Sequence, residues 1–180
     1  MRETRAFHVA AFLISFASLT AAGTITVSVH GGADFTEIQS AFDVASDGDT
    51  ILVWPGEYII TESLDFNRLH DPDSPGSPPV KNLVVRSTHG PEVTTIRMSE
   101  ELGGGRGSVI VFENGESEAS VLEGFTLTGG KGASLGGGIL IREDASPRIV
   151  GCRIVSNQAH AGGGVAIVSS GKATLVRCII

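Results

Sequence analysis

Apolar and polar positions alternate in short bursts along most of this chain, with one interruption near its start. Residues 24–29, TITVSV, are β-branched and alternate with a period of two, which predicts a strand. The next stretch, DFTEIQSAFDVASDG, breaks the rhythm: Phe35, Ile38, Phe42 and Ala45 recur at spacings of three and four and share one helical face. Asp34 is placed as N-cap, Glu37 completes a capping box, and Gly48 stops the helix. The period then returns to two. TILVW, a turn at Pro55-Gly56, and YII predict two short strands. Residues 67–79, NRLHDPDSPGSPP, hold four prolines and no apolar period, so they read as an exposed loop inserted between strands. Strand material resumes with KNLVVRS. A second insertion is read at 101–107, ELGGGRG, and the remainder alternates strand and turn.

From 120 to 180 the chain repeats itself. LEGFTLTGG (122–130) aligns with IVGCRIVSN (149–157) at an offset of 27, pairing Leu122 with Ile149 and Phe125 with Cys152. At an offset of 26, Cys152 meets Cys178, Ile149 meets Leu175, and Gly136-Gly137-Gly138 meets Gly162-Gly163-Gly164. Such a period marks a solenoid. No helix fits inside a repeat, so each crossover returns to its own strand position and equivalent residues stack in ladders about 4.8 Å apart. Phe125, Cys152 and Cys178 form one inward ladder, with buried thiols as small hydrophobes. A Cys152–Cys178 disulfide fits the rung spacing but would be strained by side chains that point the same way. Gly130 and Asn157 share a turn column, as residue types that tolerate the left-handed region. The glycine triplets allow a tight corner. No lysine and Ser/Thr pair follows them, so a phosphate loop is excluded.

Composition changes the picture modestly. The 24 glycines, with aromatics at 6%, favour a turn-rich all-β domain. A net charge of −7 without a basic run argues against a nucleic-acid partner. Residues 1–22 carry Arg2 and Arg5, an apolar stretch from Val9 to Leu19, and small residues before the expected cut after Ala22. That is the order of a secretory signal peptide, and the stretch is short for a membrane span. An uncleaved anchor is the alternative. Cleavage leaves residues 23–180, with 11 basic and 19 acidic residues, no membrane span, and a destination outside the cell or on its surface.

DFTEIQSAFDVASDGDTILVWPGEY resembles the N-terminal cap of secreted right-handed parallel β-helix proteins of the pectin-lyase-like superfamily. LVVRSTHGPEVTTI, VLEGFTLTGG and CRIVSNQAHAGGGVAI are similar to bacterial β-helix proteins with polymorphic-outer-membrane-protein-like repeats. The resemblance covers roughly 33–180 and implies a right-handed parallel β-helix of about 26–27 residues per coil, with a capping segment at 34–47. Enzymes of that superfamily act on acidic polysaccharides, with calcium-binding acids and an arginine base, or with paired aspartates plus His-Gly and Arg-x-Lys. Neither set is matched. His30-Gly31 and His89-Gly90 read as turns.

The best polar cluster is Arg142, Glu143 and Asp144, with Arg148, and with Arg153 and His160 from the next repeat. An arginine beside carboxylates can bind a uronate or act as a base, whereas RED after a strand also suits a solvated turn. Asp43, Asp47 and Asp49 lack the spacing of a calcium loop, and no cofactor is expected. Trp54 and Tyr58 flank Pro55-Gly56 as a sugar-stacking pair or as packing under the cap. The function expected is a structural, adhesive or carbohydrate-binding protein meeting a polysaccharide or surface partner. The alternative is a polysaccharide lyase or glycoside hydrolase with active-site coils past residue 180. The sequence stops at CII, where a third repeat begins, so further coils are expected beyond it, and a last coil left bare is expected to self-associate.

Overall fold

The computed structural model describes residues 21–100, 107–131 and 133–180. The signal-peptide reading and most of the 101–107 insertion lie outside them. Strand β1 (Thr24–Val27) leads into helix α1 (Ile38–Val44). Next come β2 (Thr50–Val53), β3 (Gly56–Ile60) and β4 (Leu64–Asp65), then β5 (Val84–Ser87), β6 (Thr94–Met98) and β7 (Ile110–Phe112). A further pass runs β8 (Val121–Glu123), β9 (Thr126–Thr128), β10 (Ala133–Leu135) and β11 (Ile139–Ile141). The last runs β12 (Arg148–Val150), β13 (Arg153–Ile154), β14 (Ala159–Ala161) and β15 (Val165–Ile167), before β16 (Thr174–Val176).

Each pass adds a strand to each of three sheets. The first sheet has the order β1-β2-β5-β8-β12-β16, the second β3-β6-β9-β13 and the third β4-β7-β11-β15, with β10-β14 as a small fourth. The strand pairs are parallel. The offsets read from the sequence are the observed register: Leu122, Ile149 and Leu175 are successive Cα partners, as are Ile139 with Val165 and Ile141 with Ile167. Inward residues make columns such as Ile51, Val85, Leu122 and Ile149, each fully buried. Phe125 and Cys152 are buried and Cys178 packs partly against the core. Both thiols are free. Burial pushes the Cys152 thiol up to about 11, which leaves it unreactive.

The cap differs from expectation. Helix α1 begins after Glu37, which makes no side-chain cap, and Asp34 accepts instead from the Thr26 N–H (2.8 Å) and hydroxyl (2.6 Å). Thr26 lies on the open side of an edge strand, so its N–H competes for the carboxylate. Phe35 leaves the helix and bridges to Val27, so the buried helical face is Ile38, Ala41 and Phe42. The proline-rich loop is buried at its root: Phe66 and Asn67 are 1% and 3% exposed. The left-handed column lies one residue earlier than expected, at Gly129 (φ 80°) and Ser156 (φ 55°). Asn157 is no left-handed residue. Its side-chain amide accepts from the Gly130 N–H and donates to the Leu127 carbonyl, both at 2.9 Å, substituting for a strand neighbour. Among the described residues no helix is long and apolar enough to cross a membrane.

Candidate functional site

The six residues of the sequence cluster are dispersed: three lie on three different sheets and three in the segment after β11. Arg142 follows strand β11 and bonds Glu113 through Nε at 2.7 Å. Glu143 and Asp144 form a left-handed turn (φ 51° and 60°), as do Ser169 and Ser170 at the equivalent place in the next pass. Arg148 opens β12 in the first sheet, Arg153 opens β13 in the second, and His160 is the centre of β14 in the small sheet. The acids beside α1 are occupied: Asp43 by Arg68, Asp47 by the Asn82 N–H (2.7 Å), and Asp49 by the N–H groups of Gly23 (2.6 Å) and Ser46 (2.8 Å). Tyr58 is buried, with its hydroxyl donating to the Trp54 carbonyl at 2.9 Å, while Trp54 stays 41% exposed.

One of the six, Arg153, lines a groove of about 470 Å³ at the corner between the first and second sheets, together with Glu92, Glu123, Gly151 and Arg177. Its guanidinium stands 3.9 Å from Glu92. Glu123 is bound by Arg86 from the adjacent strand, at 2.8 Å. Arg177 makes no side-chain hydrogen bond or ion pair among the described residues. The groove is thus lined by two arginines, Arg153 and Arg177, and by two glutamates, of which Glu123 is held by Arg86 outside it, on a chain whose net charge is −7. Arg177 also stands, like Glu143, Asp144, Ser156, Ser169 and Ser170, in the left-handed region. Gly124 (φ 79°), Gly151 (φ 59°) and Arg177 (φ 53°) occupy one turn position in successive passes. An arginine there adopts a conformation that costs a side chain about 1 kcal/mol or more, and such residues concentrate at functional sites. The signal was in the repeat: an offset of 26 from Gly151 lands on Arg177.

A second polar centre was missed by the sequence. Lys81 Nζ donates to the Phe42 (2.5 Å) and Ala45 (3.0 Å) carbonyls, neutralising the C-terminal end of α1. Asn67 bonds Lys81 through both backbone groups and donates to the fully buried Glu116 at 2.9 Å. Beside them, burial, with added repulsion from Glu113 and Glu116, pushes the Asp65 carboxyl up to about 6. A carboxyl with a folded value above its unfolded one binds its proton more tightly when folded. The stabilisation this gives is full below about pH 4 and is lost as pH rises through about 6. Asp65→Asn is therefore expected to be more stable than the parent at pH 7.5, by about 1 kcal/mol after allowance for solvent screening, with the gap vanishing near pH 4. Urea denaturation at both pH values checks this.

No protein-family model, curated protein or solved structure matched the chain.

Proposed function

We propose that the chain forms a right-handed parallel β-helix, is exported to the cell surface or medium, and holds acidic polysaccharide in the corner groove. The parallel pairing of successive passes at offsets of 26 and 27 residues supports the solenoid. The leader-like N-terminus supports export, and the resemblance to the pectin-lyase-like superfamily supports a uronate-containing polymer as ligand. One observation carries the binding reading: among the described residues Arg177 stands unpaired in a groove, on strained backbone, at a position where the two preceding passes have glycine. Guanidinium groups bind carboxylates bidentately, and a stack of passes presents them along a groove.

Calorimetric titration with polygalacturonate oligomers tests this. Binding is expected to weaken with salt, and Arg153→Ala and Arg177→Ala should each lower affinity about tenfold. Arg177→Gly should lower affinity equally while raising stability by about 0.5–1 kcal/mol, because glycine suits the left-handed backbone. Affinity indifferent to all three changes would remove the groove from the account. Cleavage of the polymer would replace binding by lyase or hydrolase chemistry.

A further inference from the structure

Among the described residues, each of the three large sheets begins with a strand that has no strand neighbour on one side: β1, β4 and β3. Unpaired edges invite further pairing, and proteins block them. The first is blocked. On β1 the open-side groups belong in part to Thr26, whose N–H donates to Asp34 and whose carbonyl accepts the Phe35 N–H at 3.1 Å. The third sheet is blocked by a single side chain. On β4, Leu64 bonds toward β7, so Asp65 faces outward, and Gln39 of α1 meets it as a peptide group would: Oε1 accepts the Asp65 N–H and Nε2 donates to its carbonyl, both at 2.9 Å.

Among the described residues the second sheet has no such plug. Gly56 donates to Val93 and Ile60 accepts from Ser99, so in this parallel ladder Gly56, Tyr58 and Ile60 bond toward β6. The N–H and carbonyl groups of Glu57 and Ile59 point to the open side, where none of the described residues meets them. They face a cleft of about 570 Å³ between β3 and the start of α1, with Val29, Ile38 and Leu64 among its apolar lining. Ile59 is 57% exposed. The charges at the cleft lean one way. Among the described residues Glu37 has no cation partner, Glu62 attracts Arg68 without forming an ion pair, and Glu57 is shared with Arg97. The cleft's one cation, Arg68, is held by Asp43.

We propose that this cleft admits an extended peptide segment of a partner protein, bearing lysine or arginine beside apolar residues, which adds to β3 as a further strand. Its backbone completes the hydrogen bonds of Glu57 and Ile59, one face of its side chains meets the glutamates, and the other covers the apolar lining. The site is separate from the arginine groove and of opposite charge, so the two readings stand or fall independently.

The probe is a labelled hexapeptide of alternating lysine and valine. Its controls are the glutamate–valine analogue and a lysine–valine peptide N-methylated at alternate amides, each titrated against the whole chain by fluorescence anisotropy. The lysine–valine peptide should bind at least about tenfold more tightly than either control and slow amide exchange at Glu57 and Ile59. Ile59→Pro, which removes one open N–H, should weaken it about tenfold. If that variant does not fold, Glu37→Lys with Glu62→Lys should turn the preference toward the glutamate peptide. Equal binding of the N-methylated peptide, or unchanged exchange at both amides, overturns the proposal. It is also overturned if both amides are already protected in the free protein and sedimentation shows a dimer, since a second copy then closes the edge.

Discussion

Phe66→Ala is expected to cost about 3–5 kcal/mol of folding stability, the range for truncating a fully packed phenylalanine. The ring of Phe66 is the middle of a three-ring column. Its centroid lies 4.7 Å from Phe42 on α1 and 4.3 Å from Phe112 on β7. Removing it opens a cavity between the cap helix and the third sheet, and α1, only seven residues long, has little intrinsic stability to fall back on. Urea denaturation gives the magnitude, and amide exchange along Ile38–Val44 should quicken more than exchange in β12. A loss below about 1 kcal/mol would mean that the helix is held by something other than this column.

Asn67→Ala should follow closely, at about 3 kcal/mol. Asn67 accepts from the Lys81 N–H (2.9 Å), donates to the Lys81 carbonyl (3.0 Å) and donates to Glu116 (2.9 Å). Glu116 is fully buried, and its remaining partner is the Asn114 N–H at 3.0 Å. Truncation therefore strands a buried carboxylate with half its bonds, which costs more than the lost contacts themselves. Adding Glu116→Gln removes the charge. The double variant should then be less destabilised than the two single losses added together, by about 1 kcal/mol in a double-mutant cycle. Strict additivity would show that Asn67 acts through the Lys81 backbone alone.

The strands and their register were legible because both are carried by local pattern. A period of two marks the longer strands such as β2 and β6, and Leu122, Ile149 and Leu175 reveal their pairing by recurring at fixed offsets. What escaped the pattern was side chains bonding groups far along the chain, backbone in one case and a carboxylate in the other. Gln39 and Asp65 are 26 residues apart, and Asn67 and Glu116 are 49 apart. No periodicity records such pairs. The capping-box reading of Asp34 followed a sound local rule, but an unpaired N–H on β1 competed for the same carboxylate. The loop at 67–79 reads as polar and proline-rich, which hides that Phe66 and Asn67 at its root are core residues. The polar cluster at Arg142–Asp144 lay in a turn shared with Ser169 and Ser170, whereas Arg153 reached a groove whose most distinctive member, Arg177, stands out only when the repeat is followed one glycine at a time.

Successive passes pair in parallel and in register, and we propose that they stack as one solenoid. Val121, Arg148 and Thr174 are successive partners on the outward side of the first sheet. Nitroxide labels placed pairwise at these three positions, read by dipolar broadening in electron paramagnetic resonance, measure the stack directly. Stacking predicts strong broadening for both adjacent pairs, with backbones about 4.8 Å apart, and weaker broadening for the outer pair at about 10 Å. Adjacent pairs that show no broadening would contradict the parallel register and the groove built on it.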